Sequence, residues 1–530
     1  MKDKQSPYGE APEIYDFRAL IAQCGSEYRD RPAFRYRERG AGIAEITYGR
    51  FAQDVEALAT YWLDTLGTGK HIALIGANSY RWLVCYFSIV NSGNVVVPID
   101  KELKSETVAS LLSRADCGVV LYAKAYQPAV IPPDATAQCL EDLDAAMEAG
   151  RALLAAGDRR YAELAVDPNA TCTIVFTSGT TAQPKGVMLS PHNMMADAVY
   201  GVRNLVTPPG TVVTLPLYHT FALTSGIVVQ LLVGAPIFIN SSMKRLLDDI
   251  QLASPRHICV VPMILNVFYE RIWTVIRQNG NERKVRHLIR LSNVLLRCGI
   301  DLRRWFFRRI WQSFGGRLEM IVCGGSAIDE EIIRGFRDFG ITVINGYGIT
   351  ECSPIVATMN KRHCDPTGVG TPLPGVSCRI EDGEILVKGD IVFVGYYRDP
   401  QATAEVLRDG WFHTGDLGRL DENGTLYITG RRKNLIVLSN GKNVSPEELE
   451  QRIAVFPEVV EVLVYAENDR IVAEVFPDAA VLNVQSVIRD KVEELNRHLA
   501  IFKQISSVKF RDAEFPKTAT KKIKRNYAKV

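Results

Sequence analysis

Along the first two thirds of the chain, short apolar runs alternate with stretches whose apolar residues recur at helical spacing. Between Ile46 and Asp100 an amphipathic stretch leads into HIALIGANS, a second helical stretch follows, and the pattern closes on NVVVPID. The rhythm resumes in CTIVFTSGT, TVVTLPLYH, APIFIN, HICVVP, LEMIVCGGS and ITVINGYG. These runs are apolar throughout rather than at alternate positions, the pattern of strands covered on both faces. Strands and helices in turn predict a parallel α/β sheet. Each run ends in small or polar residues, and open α/β sheets place ligands at such strand ends.

Beyond Gly375 the strands shorten and turn signals appear: IEDGEILVKGD and DENGTLYITG carry Asp382-Gly383 and Asn423-Gly424, both hairpin candidates. The last hundred residues read as strand and helix in turn, and SPEELEQRI sets Ser445 three residues before Glu448, the spacing of a capping box. Gly430-Arg431-Arg432-Lys433 reads as a short polar joint between two strands. The expectation is an α/β chain: a large N-terminal domain of parallel-rich sheets with a small β subdomain over residues 1–430, then a small mobile α+β domain over 431–530, with a nucleotide between them.

Composition narrows the partners. A chain of 530 residues with 47% hydrophobic residues can fill more than one core. Its net charge of +2 gives no global electrostatic case for nucleic acid. The 11 cysteines include no C-x-x-C pair, which suits reduced thiols in the cytoplasm. The opening residues MKDKQSPYGEAPEIYDF hold no apolar run of a secretory signal, and the expectation is a chain that stays inside the cell. The apolar segments 225–239 and 258–269 are too short and too interrupted to span a bilayer.

The run CTIVF passes directly into Thr177-Ser178-Gly179-Thr180-Thr181-Ala182-Gln183-Pro184-Lys185-Gly186. Small residues let backbone N–H groups approach a polyphosphate, the hydroxyls add donors and Lys185 adds a positive charge, a combination that suits the phosphates of ATP. The loop lacks the Gly-Lys-Ser/Thr ending of a Walker A motif. Gly67-Thr68-Gly69-Lys70-His71 fails the same test and reads as a turn before a strand.

This loop resembles the signature of the adenylate-forming superfamily, which includes acyl-CoA synthetases, luciferases and peptide-synthetase adenylation domains. Further family motifs follow in order: LPLYHTF (215–221), GYGITE (346–351), GWFHTGD (410–416), GRRKNLI (430–436) and PKTATKKIKR (516–525). The resemblance implies ATP, Mg²⁺ and a thiol acceptor, coenzyme A, with an acyl-adenylate between the two half-reactions. It assigns Thr177, Ser178, Gly179, Thr180, Thr181 and Lys185 to the phosphates, Tyr347 to the adenine face, Asp416 to the ribose hydroxyls and Arg431 to the nucleotide. Thr350 would bond the α-phosphate and Glu351 would hold Mg²⁺. His219 would lie by the acyl carboxylate and the thiol entry, and Gly324, Gly325 and Ser326 would line the acyl channel. Lys433 matches the hinge, Gly441 the approach of the pantetheine arm, and Lys522 the adenylating lysine. The chain departs from the family at two glycine positions, occupied by Ala182 and Lys521; with Lys521 beside it, Lys522 is assigned by alignment alone.

Between Pro255 and Gly316 a long helical stretch resembles the insertion of long-chain fatty acyl-CoA synthetases, which implies a medium- to long-chain fatty acid. From Asn281 to Arg317 the acids are only Glu282 and Asp301 against many arginines, while Leu302, Trp305, Phe306 and Ile310 recur at helical spacing. This pattern fits a helix lying on an anionic membrane surface, and equally a helix packed on its own domain with solvated arginines. Loading of an acyl carrier protein, activation of an aryl acid and a non-catalytic nucleotide-binding regulator are the competing functions, and the presence of both Glu351 and Lys522 weighs against the last.

Overall fold

The computed structural model describes residues 11–38, 42–129, 131–177, 184–240, 242–360, 363–439, 442–517 and 523–525. They form two compact units: one holds the described residues up to Ser377 together with Lys388–Gly410, the other Cys378–Val387 and the described residues from Trp411 onward.

The apolar runs become the strands of two sheets in the first unit. In the larger, Thr342–Gly348, Met320–Cys323, His257–Val260, Thr211–Val213, Ile237–Ile239 and Pro32–Glu38 run parallel, with antiparallel edges at Ile355–Thr358, Thr371–Pro372 and Gly42–Thr47. In the other, Thr173–Thr177, Val95–Ile99, His71–Ile75, Cys117–Tyr122 and Thr136–Cys139 run parallel, and Lys185–Leu189 and Gly395–Tyr396 close one edge antiparallel. Helices such as Tyr48–Thr65, Tyr80–Asn91 and Pro191–Asn204 cover them, each capped at its start by a Thr or Ser side chain. Gly67 and Gly69 take positive φ immediately before His71–Ile75, the turn that the sequence suggests there.

In the second unit Asp382-Gly383, with φ of 49° and 78°, turns Ser377–Glu381 into Glu384–Lys388. Strand Trp411–Leu420 pairs with both Glu384–Lys388 and Leu426–Arg431. Further along, Val459–Glu467, Arg470–Pro477 and Ser507–Phe510 form a sheet whose apolar face shares a core with helices Pro446–Ala454 and Val484–Arg497.

Two local expectations are corrected. Ser445 precedes helix Pro446–Ala454 but makes no cap bond; its hydroxyl donates to Glu447 Oε2 at 3.0 Å, so no capping box forms with Glu448. The nearer carboxylate competes successfully for the hydroxyl. The residues 302–310 are not one helix either, because Phe307 at φ −108°, ψ 27° separates Arg303–Phe306 from Arg308–Ser313. The face turned inward carries Phe307, Trp311 and Phe314, and Trp311 Nε1 donates to the Phe339 carbonyl at 2.9 Å. Phe306 and Ile310 flank that face, while Leu302 and Trp305 are left outside.

His257 opens a central strand of the larger sheet and is fully enclosed. Its Nδ1 lies 2.6 Å from the Pro208 carbonyl and Nε2 3.2 Å from Gln230 Nε2, a pairing satisfied by a neutral ring with Nδ1–H donating and Nε2 accepting. Burial pushes its pKa from 6.5 down to about 4, opposed in part by the Pro208 bond. The unfolded chain therefore binds a proton that the folded chain refuses, so this contribution is complete above pH 6.5 and is lost as pH falls toward 4. We expect urea unfolding of the first unit to weaken by on the order of 3 kcal/mol across that window, and His257→Asn to flatten the slope whatever its effect at neutral pH.

Candidate active site

Strands Thr173–Thr177 and Lys185–Leu189 form an antiparallel pair whose last register partners are Thr177 and Lys185. The phosphate-loop candidates Ser178, Gly179, Thr180 and Thr181 lie outside the described residues, as do Gly441 and both Lys521 and Lys522. Strand Gly395–Tyr396 adds to the other side of Lys185–Leu189, with Gly395 opposite Met188 and Tyr396 opposite Val187. This register sets the Tyr396 ring under Lys185, whose Nζ stands 4.7 Å from the ring centroid.

Glu351 comes to the same ring. It lies in a single tight turn, Thr350–Cys352, after strand Thr342–Gly348, and it is buried. The Tyr396 hydroxyl donates to Glu351 Oε1 at 2.9 Å, and the Phe393 amide donates to the Glu351 carbonyl at 2.8 Å. Burial, with the Glu351 carboxylate beside it, raises the phenol well above its usual range, so the hydroxyl remains a donor. The turn is held from behind as well: Thr224 Oγ1 donates to the Ser353 carbonyl at 2.9 Å, and Asp197 Oδ1 accepts the Ile355 amide at 2.9 Å. Asp197 is wholly buried in helix Pro191–Asn204, and burial lifts its carboxyl far above the usual carboxylate range.

Tyr347 and Gly346 lie on the strand that leads into this turn, Tyr347 half-buried opposite Ala357. Gly324 follows the neighbouring strand Met320–Cys323; a Cβ there would stand 3.4 Å from the Gly346 carbonyl and 3.8 Å from the Phe221 ring. Gly325 adopts φ 97°, and Ser326 is exposed beyond it. His219 is half-buried immediately before helix Thr220–Leu223, its ring 4.5 Å from that of Tyr218. The preceding segment is fixed by Asn78, which donates to the Leu215 carbonyl at 2.8 Å and accepts the Leu217 amide at 3.0 Å. The helix continues through a wide π-helical turn, Thr224–Val228, a form common near functional sites.

In the second unit Asp416 is buried and faces Arg431 across strands Trp411–Leu420 and Leu426–Arg431, with Arg431 Nε 2.7 Å from Asp416 Oδ1. Glu384, also buried, accepts the Gly415 amide at 2.8 Å and pairs with Arg432 at 2.9 Å. Lys433 is exposed in the turn Arg432–Asn434. Among the described residues no group of three or more His, Cys, Asp or Glu side chains is placed to hold a metal ion.

Sequence reasoning passed over Tyr396, Asp197 and Glu384. Gly395-Tyr396-Tyr397 carries a weak signal, a glycine before two tyrosines after an apolar run, whereas Asp197 and Glu384 are single acids in stretches that otherwise read as structural.

A family described as AMP-binding enzyme matches residues 21–397 of the chain. The chain is similar to the long-chain-fatty-acid–CoA ligase FadD15 of Mycobacterium tuberculosis, 31% identical over 489 residues, which cover 84% of the chain and 79% of that protein. It is also similar to fatty acyl-CoA synthetase A of Dictyostelium discoideum, 28% identical with 81% and 71% covered. Among solved structures, o-succinylbenzoate CoA synthetase of Bacillus subtilis in complex with its acyl-adenylate intermediate superposes with a TM-score of 0.76 at 21% identity, over 96% of this chain and 98% of that one. ATP-bound MatB of Rhodopseudomonas palustris gives 0.75 at 24% identity, over 97% and 98%. These likenesses show the fold: a large N-terminal and a smaller C-terminal domain.

The Asp416–Arg431 pair is asymmetric, since the acid is 4% exposed and the base 42%. Removing the base takes a charged partner from a buried acid, whereas neutralising the acid leaves a guanidinium that water can reach. We expect Arg431→Ala to destabilise the second unit by about 1–2 kcal/mol and Asp416→Asn by less, with the double variant no worse than Arg431→Ala, as a double-mutant cycle of unfolding midpoints would measure.

Proposed function

The chain belongs to the AMP-binding enzyme family, and from that premise we propose that it activates a medium- to long-chain fatty acid with ATP and passes the acyl group to coenzyme A. The carboxylate oxygen of the acid attacks the α-phosphorus of ATP and pyrophosphate leaves with its electron pair, giving acyl-AMP. The thiolate of coenzyme A then attacks the acyl carbon and AMP leaves, giving the thioester. The first step brings two anions together, so electrostatic neutralisation and in-line holding carry most of the catalysis.

Lys185 supplies a charge to the β- and γ-phosphates, Thr350 a hydroxyl to the α-phosphate and Tyr347 a ring face to adenine. Asp416 accepts the ribose hydroxyls and Arg431 contacts the nucleotide. Glu351 suits Mg²⁺, a hard cation that takes carboxylate, phosphate and water oxygens and needs no all-protein cage; bound there, the ion withdraws charge from the phosphates. Lys522 serves the α-phosphate during adenylation, Lys433 is the pivot and Gly441 the approach of the pantetheine arm. His219 stands at the acyl carboxylate and thiol entry, and Gly324, Gly325 and Ser326 border the acyl path. The observation that carries this reading is the convergence of Lys185 and Glu351, from motifs far apart in sequence, on one tyrosine.

The FadD15 and Dictyostelium proteins are named for fatty acids and coenzyme A, which supports that substrate class over aryl acids. Each buried methylene of a substrate contributes about 0.8 kcal/mol, so pyrophosphate exchange should climb with chain length into the medium and long range. An exchange rate that peaks with acetate or benzoate would overturn the fatty-acid reading, and thioester formed on a carrier protein in preference to coenzyme A would overturn the acceptor.

A peripheral lipid contact belongs to the same reading. No described helix is long and apolar enough to cross a membrane. The insertion nevertheless exposes Leu291, Val294, Ile300, Leu302 and Trp305, the last at 72%, among the exposed Arg290, Arg297, Arg304 and Arg308. Exposed apolar side chains ringed by arginine suit anionic headgroups. Arg304 also packs on Trp311, its guanidinium 4.6 Å from the ring, so Arg290 and Arg308 make the cleaner test. Arg290→Glu with Arg308→Glu should weaken binding to phosphatidylglycerol vesicles at least tenfold and leave exchange on a soluble short-chain acid within twofold; unchanged vesicle binding would remove the lipid contact.

A further inference from the structure

Tyr396 makes two unlike contacts with one side chain. Its O–H donates to Glu351 Oε1 at 2.9 Å, and its ring face carries Lys185 Nζ at 4.7 Å from the centroid. We propose that Tyr396 is a positioning residue that sets the metal-binding carboxylate and the phosphate-binding lysine against each other, so that Mg²⁺ and ATP are taken up as a unit. This inference rests on the roles given above to Glu351 and Lys185.

The backbone around Tyr396 is built to hold the ring still. Gly395 and Tyr396 are zipped to the strand that starts at Lys185, and the Tyr396 amide donates to Thr403 Oγ1 at 2.9 Å. Gly395 takes φ 149°, and a Cβ there would come within 3.0 Å of Thr403 Cγ2, so a larger residue would push the strap off its neighbour. Phe393 packs edge-on to the Tyr396 ring with centroids 4.9 Å apart, and its amide holds the Glu351 carbonyl. One segment of four residues thus grips Glu351 by main chain and side chain and lies alongside the Lys185 strand.

The two contacts have separate consequences. A buried carboxylate has lost water, and the phenol O–H replaces part of that hydration while restricting the rotamers of Glu351. A phenol carries one O–H, and here that proton is directed at Glu351 Oε1. The ring face holds the lysine ammonium by its quadrupole without giving it a competing anion, which leaves the charge available to phosphate. Phenylalanine keeps the second contact and loses the first; leucine loses both.

Calorimetric titration of ATP separates the cases, run once with saturating Mg²⁺ and once in EDTA, on the unaltered chain, Tyr396→Phe, Tyr396→Leu and Glu351→Gln. Tyr396→Phe should weaken Mg²⁺-dependent ATP binding about tenfold, the value of a hydrogen bond to a charged group, and leave metal-free binding within twofold. Tyr396→Leu should weaken both. In pyrophosphate exchange, Tyr396→Phe should raise the Mg²⁺ concentration for half-maximal rate by a similar factor. If Glu351→Gln abolishes the Mg²⁺ advantage while Tyr396→Phe retains it in full, the role of Tyr396 is wrong and that of Glu351 stands. If Glu351→Gln keeps the advantage, the metal assignment itself fails and the inference falls with it. Should Tyr396→Leu not fold, the Phe variant alone decides.

Discussion

A carboxylate taken out of water must be met by donors, and much of the architecture around the candidate site is arranged to meet several of them. In the first unit Glu351 is met by Tyr396, while Asp197, whose carboxyl burial holds far above the carboxylate range, accepts the Ile355 amide. Asp54 is met by Arg50, Arg151 and Tyr80 at 2.7–3.0 Å. In the second, Asp416 is met by Arg431 and Glu384 by Arg432 and the Gly415 amide. Most of these donors come from distant parts of the chain. Satisfying the acids therefore ties separate strands and helices together, and the ties that involve Glu351 and Asp197 converge on the turn carrying Thr350 and Glu351.

Glycine has a second, steric part in the same place. Gly324 follows strand Met320–Cys323, Gly346 lies on the neighbouring strand, and the Phe221 ring approaches from the helix that follows His219. A Cβ at Gly324 would make ordinary contact with both, and only a longer side chain would fill the space between strand end and ring. The helical insertion also does two things at once. Phe307, Trp311 and Phe314 attach it to the core of the larger sheet, and the break at Phe307 turns Trp305 outward. Packing and surface exposure, which compete as readings of the sequence, coexist because the stretch is two short helices.

The fold is shared with enzymes whose named substrates are as different as o-succinylbenzoate and those of fatty acyl-CoA ligases. A common fold carries the adenylating chemistry, while substrate class depends on the side chains that border the acyl path. The relatives near 30% identity therefore weigh more on the identity of the acid than the structural neighbours near 20% do.

The sequence by itself determined the strands and their order of appearance, because runs such as HIALI and MIVC are apolar on both faces and admit only a covered sheet. It also determined the Asp382-Gly383 hairpin through turn chemistry, and its ordered motifs pointed to the family that the chain belongs to. The pairing order of the two sheets, the antiparallel closure by Lys185–Leu189 and Gly395–Tyr396, and the meeting of Lys185, Tyr396 and Glu351 were decided by tertiary structure. So were the partner of Ser445 and the break at Phe307. Period and propensity describe what a residue prefers along its own segment. Which acid meets which donor depends on contacts between segments as far apart as residues 197 and 355, and no local pattern encodes those.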